Sequence, residues 1–585
     1  MTRNEFILLN HLYNEAQGRK SSTSYIGLNH VLMDDEILDT LIEKGYVDSI
    51  YERITEKGIE ALEPYRVKNA VILAAGAATR FIPLSLEQPK GLFEVKGEPL
   101  INRQIEQLHE AGIDDITVVL GYKKEMFFYL KEKYGVNFIF NATYNVKSNI
   151  ESIYLAKEKL GNTYICSCDD YFIDNPFQTY EYESFYAGMQ VNKKKNEMYV
   201  ITDEDYRITE LVERKANGYM LLGHSFWKQE FADKFIEIAE AERETKAYDS
   251  EFWEWLVKDF LKELPPFYFK EYAINSIHEF DYFEELRKFD NTYIQNTNSK
   301  IISNIISVFQ CKEEDIVDFR KVNEGMTNTS FIFKYQDVDY IYRHPGDGTE
   351  NIISRANEKR SLELAKEWDI DPTYVYMNVE EGWKISKFVT SFREPEYTNF
   401  EDSKKILKVL KRLHSLPIEV EYGMKPWEDA EEMEQMLEKK NPGCFKSYLE
   451  LKGKIGQLYY KTCGDGVEKC FCHGDTYKPN WMITPDDEVI LIDWEYSGYS
   501  DPGIDVGYYI VDAMYEIEEG KAFIREYLGE EYDDRKEFHF LAYTAIIAYY
   551  WFVWAMYRES CGAVMGEALY NWYQMAGRYA DELLK

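Results

Sequence analysis

From Asn69 onward the chain alternates short runs that are apolar at nearly every position with stretches that repeat at a helical period: NAVILAAG, INRQIEQLHEAG, ITVVLGY, EMFFYLKEKYG, NFIFN and then TYICSCDDYF. A strand with no polar face must be covered on both sides, so this alternation predicts a parallel sheet between two layers of helices. The pattern ends near Phe289, where FDNTYIQNTNSK is polar and asparagine-rich. From about residue 301 the order changes: DIVDFRKVNEGMTNTSFIFKYQDVDYIYRHPG reads as consecutive antiparallel strands, and the rest of the chain is mostly helical.

A chain of 585 residues is too long for one core. Four segments are expected: 1–65, a nucleotide-binding domain at 66–289, a linker at 290–300, and a last domain at 301–585. The second is Rossmann-like, with a parallel or mixed sheet, and the last has the order of a kinase fold, a small sheet first and helices after. The fold class is α/β multidomain. In residues 1–65, helical periods in NEFILLNHLY and DDEILDTLIEKGYV precede YERITEKGIEALE, a short ribbon leading into a helix, and this resembles a winged helix. Six basic residues there face twelve acids, a local charge of −6 that opposes DNA binding and favours a regulatory or dimerising role.

The formal charge of the whole chain is −36, which opposes binding to a polyanion. Nucleic acid and anionic membrane are therefore not expected partners. The eight cysteines are scattered. Cys470, Cys472 and His473 have CxC spacing without a second ligand pair nearby, which reads against a metal site. Met1 to Phe6 reads as the start of a helix rather than a leader, so with reduced thiols the cytoplasm is the expected compartment. The longest apolar run, Ala542 to Tyr557, is short for a membrane span and rich in tyrosine and tryptophan, as a buried helix would be.

The segment LAAGAATRFIPLSLEQPKGLFEVKGEPLI lies where the first strand meets the first helix, the place at which open parallel sheets bind phosphates. Small residues at Ala74, Ala75, Gly76, Ala77 and Ala78, with Thr79, let backbone N–H groups approach a triphosphate, and Arg80 and Lys90 supply cationic charge. A glycine loop alone is often a plain tight turn. Together with TRF, the PK pair and VKGEPLI at this spacing, it resembles the nucleotidyltransferases that activate sugar phosphates and phosphocholine. GYKKEMFFYLKEKYGVNFIFN, SNIESIYLA, CDDYF and GHSFW are similar to phosphocholine cytidylyltransferases over about residues 67–288. The resemblance implies that Asp169 holds Mg²⁺, that Lys90 and Arg80 stabilise the transition state and the departing pyrophosphate, and that Gly121 and Tyr122 lie beside the nucleotide. Two departures from the family are expected: Ala78 replaces a loop glycine, and Asn275 in YAINS stands where a YEIDS-like motif carries a second metal-binding aspartate. A quaternary ammonium has no N–H to donate, so aromatic faces and a carboxylate must recognise it. The candidates are Tyr171, Phe226, Trp227, Trp253 and Trp255, with Glu254 as the anion, although a family tryptophan appears here as Met198.

In the last segment, CHGDTYKPN is followed by Asp493 in VILIDWEYSGYSDPGIDVG. A base, an asparagine and an aspartate after an apolar strand make a phosphoryl-transfer set, in which Asp475 orients the attacking hydroxyl while Asn480 and Asp493 hold Mg²⁺. His473 and Asp505 are read as braces of the loop. Upstream, EGMTNTSF places Asn328 and Ser330 near the phosphates, and YIYRHPG puts Arg343 where a protein kinase has its lysine, with Glu358 as its partner. The segment resembles bacterial choline kinases and the wider aminoglycoside-phosphotransferase group over residues 301–585. Choline kinases carry a W-x-x-W pair walling the cation site. The resemblance therefore implies that Trp551, Trp554, Tyr573 and Asp512 bind choline, although Trp551 and Trp554 share one helix face as core residues also do.

The two resemblances meet in one reaction sequence. Choline and ATP would give phosphocholine, and phosphocholine with CTP would give CDP-choline. Ethanolamine or an aminoalkylphosphonate in the same reactions is the alternative, and a nucleotide-sensing transcriptional regulator is the reading from another class. Homo-oligomerisation is left open.

Overall fold

The computed structural model describes residues 1–19, 35–191, 197–214, 217–294, 297–322, 329–344, 354–440 and 448–585. Two compact units emerge, Met1–Lys321 and Val322–Lys585.

In the first unit, the helix Arg3–Ala16 starts at a reciprocal cap. The Thr2 hydroxyl accepts from the Glu5 N–H at 3.3 Å, and the Glu5 carboxylate accepts from the Thr2 N–H at 3.1 Å. Helices Asp35–Glu43 and Glu56–Leu62 follow, with a single bridge between Val47 and Ile54 ahead of the last. Phe6, Leu9, Leu41 and Leu62 close over Tyr180.

The apolar runs become a nine-stranded mixed sheet. Asn69–Ala74 lies between Ile116–Leu120 and Thr163–Ser167, parallel to both, and Asn137–Phe140 continues the parallel part. Gly218–Trp227 runs antiparallel to Thr163–Ser167 and opens the second half, which includes Phe185–Val191 and Tyr268–Tyr272. The central strands are buried on both faces, Val71 and Val119 toward one cluster and Ala70, Ile72 and Val118 toward the other. The expected strand TYICSCDDYF divides into Thr163–Ser167 and Asp170–Phe172, which sets Cys168 and Asp169 at the turn between them. Asp170–Phe172 pairs with Ile277–Glu279, bringing Glu279 opposite Asp170. The asparagine-rich stretch belongs to this unit: Tyr293 is buried, Asp290 accepts from the Thr292 N–H at 3.0 Å, and the helix Lys300–Phe309 follows.

In the second unit, strands Thr329–Tyr335, Val338–His344, Lys384–Lys387 and Tyr374–Met377 pair antiparallel in that order. The helix Arg355–Glu367 is inserted between the second strand and the last. Two small ribbons, Cys470–Cys472 with Gly498–Ser500 and Trp481–Ile483 with Val489–Leu491, frame the loop 473–480. The apolar run lies in the helix Asp534–Ser560, long and apolar enough to cross a membrane, yet its apolar window is 78% buried among other helices. Gly507 of the helix Gly503–Asp512 is one reason: a Cβ there would come within 3.0 Å of the Thr544 backbone nitrogen, so the two helices meet at backbone contact.

Candidate active sites

The first strand ends at Ala74, and the loop after it opens on a cleft of about 700 Å³. Ala75, Gly76, Ala78, Thr79, Arg80 and Lys90 line it on one side, and Asp169, Asp170, Glu279 and Asp281 on another. Ala78 adopts the left-handed conformation, φ 47°, the geometry in which a glycine would be unstrained. Gly121 and Tyr122 brace this loop rather than line the cleft. A Cβ on Gly121 would lie 2.7 Å from the Ala75 carbonyl oxygen and 2.8 Å from the Tyr144 side chain, and the Tyr122 N–H donates to that same carbonyl at 3.0 Å.

Lys90 Nζ lies 2.5 Å from Asp169 Oδ2. Burial works against the ammonium charge, but Asp169 and Glu279 outweigh it and raise its pKa. The acids crowd one another. Burial, then Glu279 and Asp169, push the Asp170 carboxyl well above the usual range, and burial followed by Asp169 pushes Glu279 up to about 8. Arg80 Nη1 reaches Asp281 Oδ1 at 3.4 Å.

Asn275 is not part of this group. It is exposed, at φ 66°, in the turn between Tyr268–Tyr272 and Ile277–Glu279, so the acids that face Asp169 from this stretch are Glu279 and Asp281 instead. The sequence reading missed both. Their signal was HEFD, two acids two residues apart at the end of a short strand, which places them on one face.

The aromatic candidates need correction. Phe226 and Trp227 are fully buried core residues, Phe226 against Tyr164 and Phe185, Trp227 against Phe231, Phe235 and Trp253. Tyr171 is buried under Arg103, whose guanidinium carbon sits 4.6 Å from its ring centroid, and against Phe289. Trp253 stacks on Tyr186 at 4.9 Å. None of these four except through Tyr186 reaches the cleft, whose aromatic lining is Phe81, Tyr144, Tyr186, Phe252 and Trp255. Glu254 does line it. Its Oε1 accepts from the Tyr186 hydroxyl at 2.7 Å, its Oε2 is buried without a hydrogen-bond partner, and burial pushes its pKa up to about 6 against the lowering by Tyr186.

In the second unit, Asn480 Nδ2 donates to the Asp475 carbonyl at 2.8 Å and to its Oδ2 at 2.9 Å. Burial first, then Asp493 and Glu495, push the Asp475 carboxyl well above its ordinary pKa, as suits a group that accepts a hydroxyl proton. The loop is held from behind by Asp505, which accepts the backbone N–H groups of His473 at 2.8 Å and Gly474 at 2.7 Å. His473 packs edge-on against Trp494 and meets the Ile492 carbonyl at 3.0 Å.

Arg343 reaches Glu358 at 2.5 Å, Asp493 at 3.2 Å and Glu495 at 3.3 Å. Lys384, which the sequence reading missed, joins them, 3.1 Å from Glu358 and 3.2 Å from Asp493. Burial opposes the charge on Asp493, but Lys384 and Arg343 overcome it and hold that carboxyl down at about 2; Glu495, pushed by burial and Asp493, rises to about 8. Glu358, Asp493 and Glu495 each offer an oxygen within 4.8 Å of the others, a donor set fit for a hard divalent ion. Ser330 is paired across the sheet with Arg343, and Asn328 lies outside the described residues.

Trp551 stacks on Tyr508 at 4.9 Å and meets Tyr496 and Trp554 edge-on at 5.3 and 5.2 Å. Burial chiefly raises the hydroxyl pKa of both tyrosines, followed by Tyr550 and Glu495 at Tyr496 and by Asp475 at Tyr508. Tyr573 packs on Phe552 at 5.3 Å, and the neighbour that approaches Trp551 is Trp572, at 6.0 Å. Asp512 accepts from the Tyr397 hydroxyl and, at 2.8 Å, from the Lys478 N–H.

A phosphate-approaching loop with a Lys–Asp pair on a mixed sheet, and an Asp–Asn–Asp set beneath a small antiparallel sheet, define a nucleotidyltransferase joined to a kinase-fold phosphotransferase. Residues 70–212 match the MobA-like NTP transferase domain, and residues 319–561 match choline/ethanolamine kinase. A choline-phosphate cytidylyltransferase of Streptococcus pneumoniae is 38% identical over 229 residues, 39% of this chain and 99% of that protein. A 2-aminoethylphosphonate cytidylyltransferase of Lancefieldella rimae is 32% identical over 230 residues, 39% of this chain and 93% of that protein. The solved choline kinase of Streptococcus pneumoniae is 26% identical and covers 48% of this chain and 98% of its own, with a TM-score of 0.43. The chain belongs to the choline-phosphate cytidylyltransferase family through its first half and carries a choline-kinase-type domain in its second. Both domains are transferases.

Proposed function

We propose that this chain makes CDP-choline in two steps. The second unit transfers the terminal phosphoryl group of ATP to the hydroxyl of choline, and the first joins the resulting phosphocholine to the CMP moiety of CTP, releasing pyrophosphate. The observation that carries this reading is the presence in one chain of both sites, the cleft of Lys90 and Asp169 and the Asp475–Asn480–Asp493 set.

In the kinase half, Asp475 accepts the choline hydroxyl proton as the oxygen attacks. Arg343, tied to Glu358, and Lys384 position the ATP phosphates, with Ser330 on the strand paired with Arg343. Asn480 and Asp493 would hold Mg²⁺, which supplies charge neutralisation to the transferring group. Trp551 and Trp554, with Tyr496, Tyr508, Tyr573 and Asp512, would form the site for the trimethylammonium group. In the transferase half, Ala75, Gly76, Ala78 and Thr79 approach the triphosphate, Lys90 and Arg80 stabilise the charge that develops on it, and Asp169, Glu279 and Asp281 would hold Mg²⁺. A divalent ion held there would relieve the repulsion between Asp169 and Glu279. Glu254, with one oxygen unpaired, and Trp255 receive the quaternary ammonium of phosphocholine.

An assay with choline, ATP, CTP and Mg²⁺, followed for CDP-choline, tests the whole sequence. The family match to choline and ethanolamine kinases alike, and the aminoethylphosphonate relative, favour ethanolamine as the second reading. Preference for ethanolamine over choline in a competition assay would overturn the substrate named here. The N-terminal helices are proposed as a winged-helix-like regulatory or dimerising module, and a sequence-specific gel shift at low salt would move it to DNA. With ATP and CTP as substrates, the proposed compartment is the cytoplasm.

A further inference from the structure

The strand Cys470–Cys472 leads directly into the loop that carries Asp475. Its cysteines are two residues apart, so both thiols leave one face of the strand, and their sulfurs lie 3.6 Å apart without a disulfide. The third member is not the adjacent His473 but His414, from the end of the helix Phe400–His414. A ring nitrogen of His414 and the two sulfurs all lie within 4.8 Å of one another. His414 Nε2 meets Asp505 Oδ2 at 2.9 Å, and its Nδ1 meets the Tyr527 hydroxyl at 2.7 Å.

We infer that Cys470, Cys472 and His414 form a binding site for a thiophilic divalent cation of the Zn²⁺ type, outside both active sites. Geometry favours it. Two sulfurs each about 2.3 Å from a tetrahedral ion lie about 3.8 Å apart, close to the observed spacing, whereas a disulfide needs them at about 2.0 Å and the strand would have to bend. Charge favours it as well: within the ligand set, two thiolates and a neutral imidazole balance a 2+ ion. Asp505 on Nε2 is the carboxylate–imidazole arrangement that orients a metal-binding histidine, and the ion would take Nδ1 in place of its hydrogen bond with the Tyr527 hydroxyl, which then stands beside it for the fourth position. Asp505 also holds the His473 and Gly474 amides, so the site shares a brace with the phosphotransfer loop.

Co²⁺ titration of the full chain in reducing, oxygen-free buffer tests this independently of enzyme activity. The expected spectrum shows a thiolate-to-cobalt charge-transfer band and tetrahedral d–d bands, saturating at one ion per chain and erased by Zn²⁺. Oxygen-ligated Co²⁺ at either catalytic centre gives no such charge-transfer band. Cys470→Ser, at a partly exposed position, is expected to lose the band with an unchanged far-UV circular dichroism spectrum, while Cys463→Ser keeps it. A wild-type spectrum without the charge-transfer band, or a band that survives in Cys470→Ser, overturns the proposal.

Discussion

Glu254 shows how one side chain carries a specificity argument. It is a carboxylate in a cleft, pushed up to about 6 by burial, with one oxygen on the Tyr186 hydroxyl and the other without a partner. A cationic substrate binds its ionised form, which gains population as pH rises through about 6. The KM for phosphocholine should therefore fall from about pH 5 to about pH 7 and then level off. Glu254→Gln should raise KM about tenfold near neutrality, the loss of about 1.4 kcal/mol of partly screened attraction, and should flatten the pH dependence. An unchanged profile in the variant would remove Glu254 from the site. Because the folded value lies above the unfolded one, the same group costs stability as pH rises through that window, so the binding gain is bought against the fold. In the kinase half, Lys384 sits with Arg343 on Asp493. Lys384→Met should lower phosphotransfer at least about tenfold at saturating ATP, since the half-buried Asp493 carboxylate loses one of its two cations.

At the scale of elements, one glycine sets a distance that no side chain permits. Gly121 lets the end of the strand Ile116–Leu120 approach Ala75 and Tyr144, and a methyl group there would lie inside contact with both. Gly121→Ala should destabilise the first unit by about 1–3 kcal/mol and weaken CTP binding, measured by thermal unfolding and by titration, while choline phosphorylation stays at its wild-type rate. The same scale explains what went unseen in the sequence. The wholly apolar period of NAVILA and ITVVL predicts buried parallel strands, and they are found. Yet GHSFW is one strand whose Phe226 and Trp227 both point into core, because a strand at the centre of a covered sheet has no exposed face for a ligand. Aromatic type alone carries no record of facing. Glu279 becomes a cleft residue through its pairing opposite Asp170, a register set by a strand more than a hundred residues earlier.

At the scale of the whole molecule, the chain divides into two compact units, and each carries one of the two proposed catalytic sets. Asp475→Ala should lower choline phosphorylation by about 10²–10⁴-fold and leave the reaction of phosphocholine with CTP intact; Lys90→Ala should do the reverse. Loss of both activities in either folded variant would exclude independent sites. Chelation of Mg²⁺ should stop both reactions together. By itself the sequence determined the sheet and the order of a small sheet before helices, and it singled out the motif residues for which chemistry is proposed: Lys90, Asp169, Asp475, Asn480 and Asp493. These are legible because hydrophobic period and loop spacing act over a few residues. Only the tertiary structure decided which distant groups meet them. Glu279 and Asp281 face Asp169, Lys384 reaches Asp493, and His414 rather than His473 stands against the CxC strand. Each of these depends on strand register or helix packing between segments far apart in the chain, and a single sequence records the residues but not their distances.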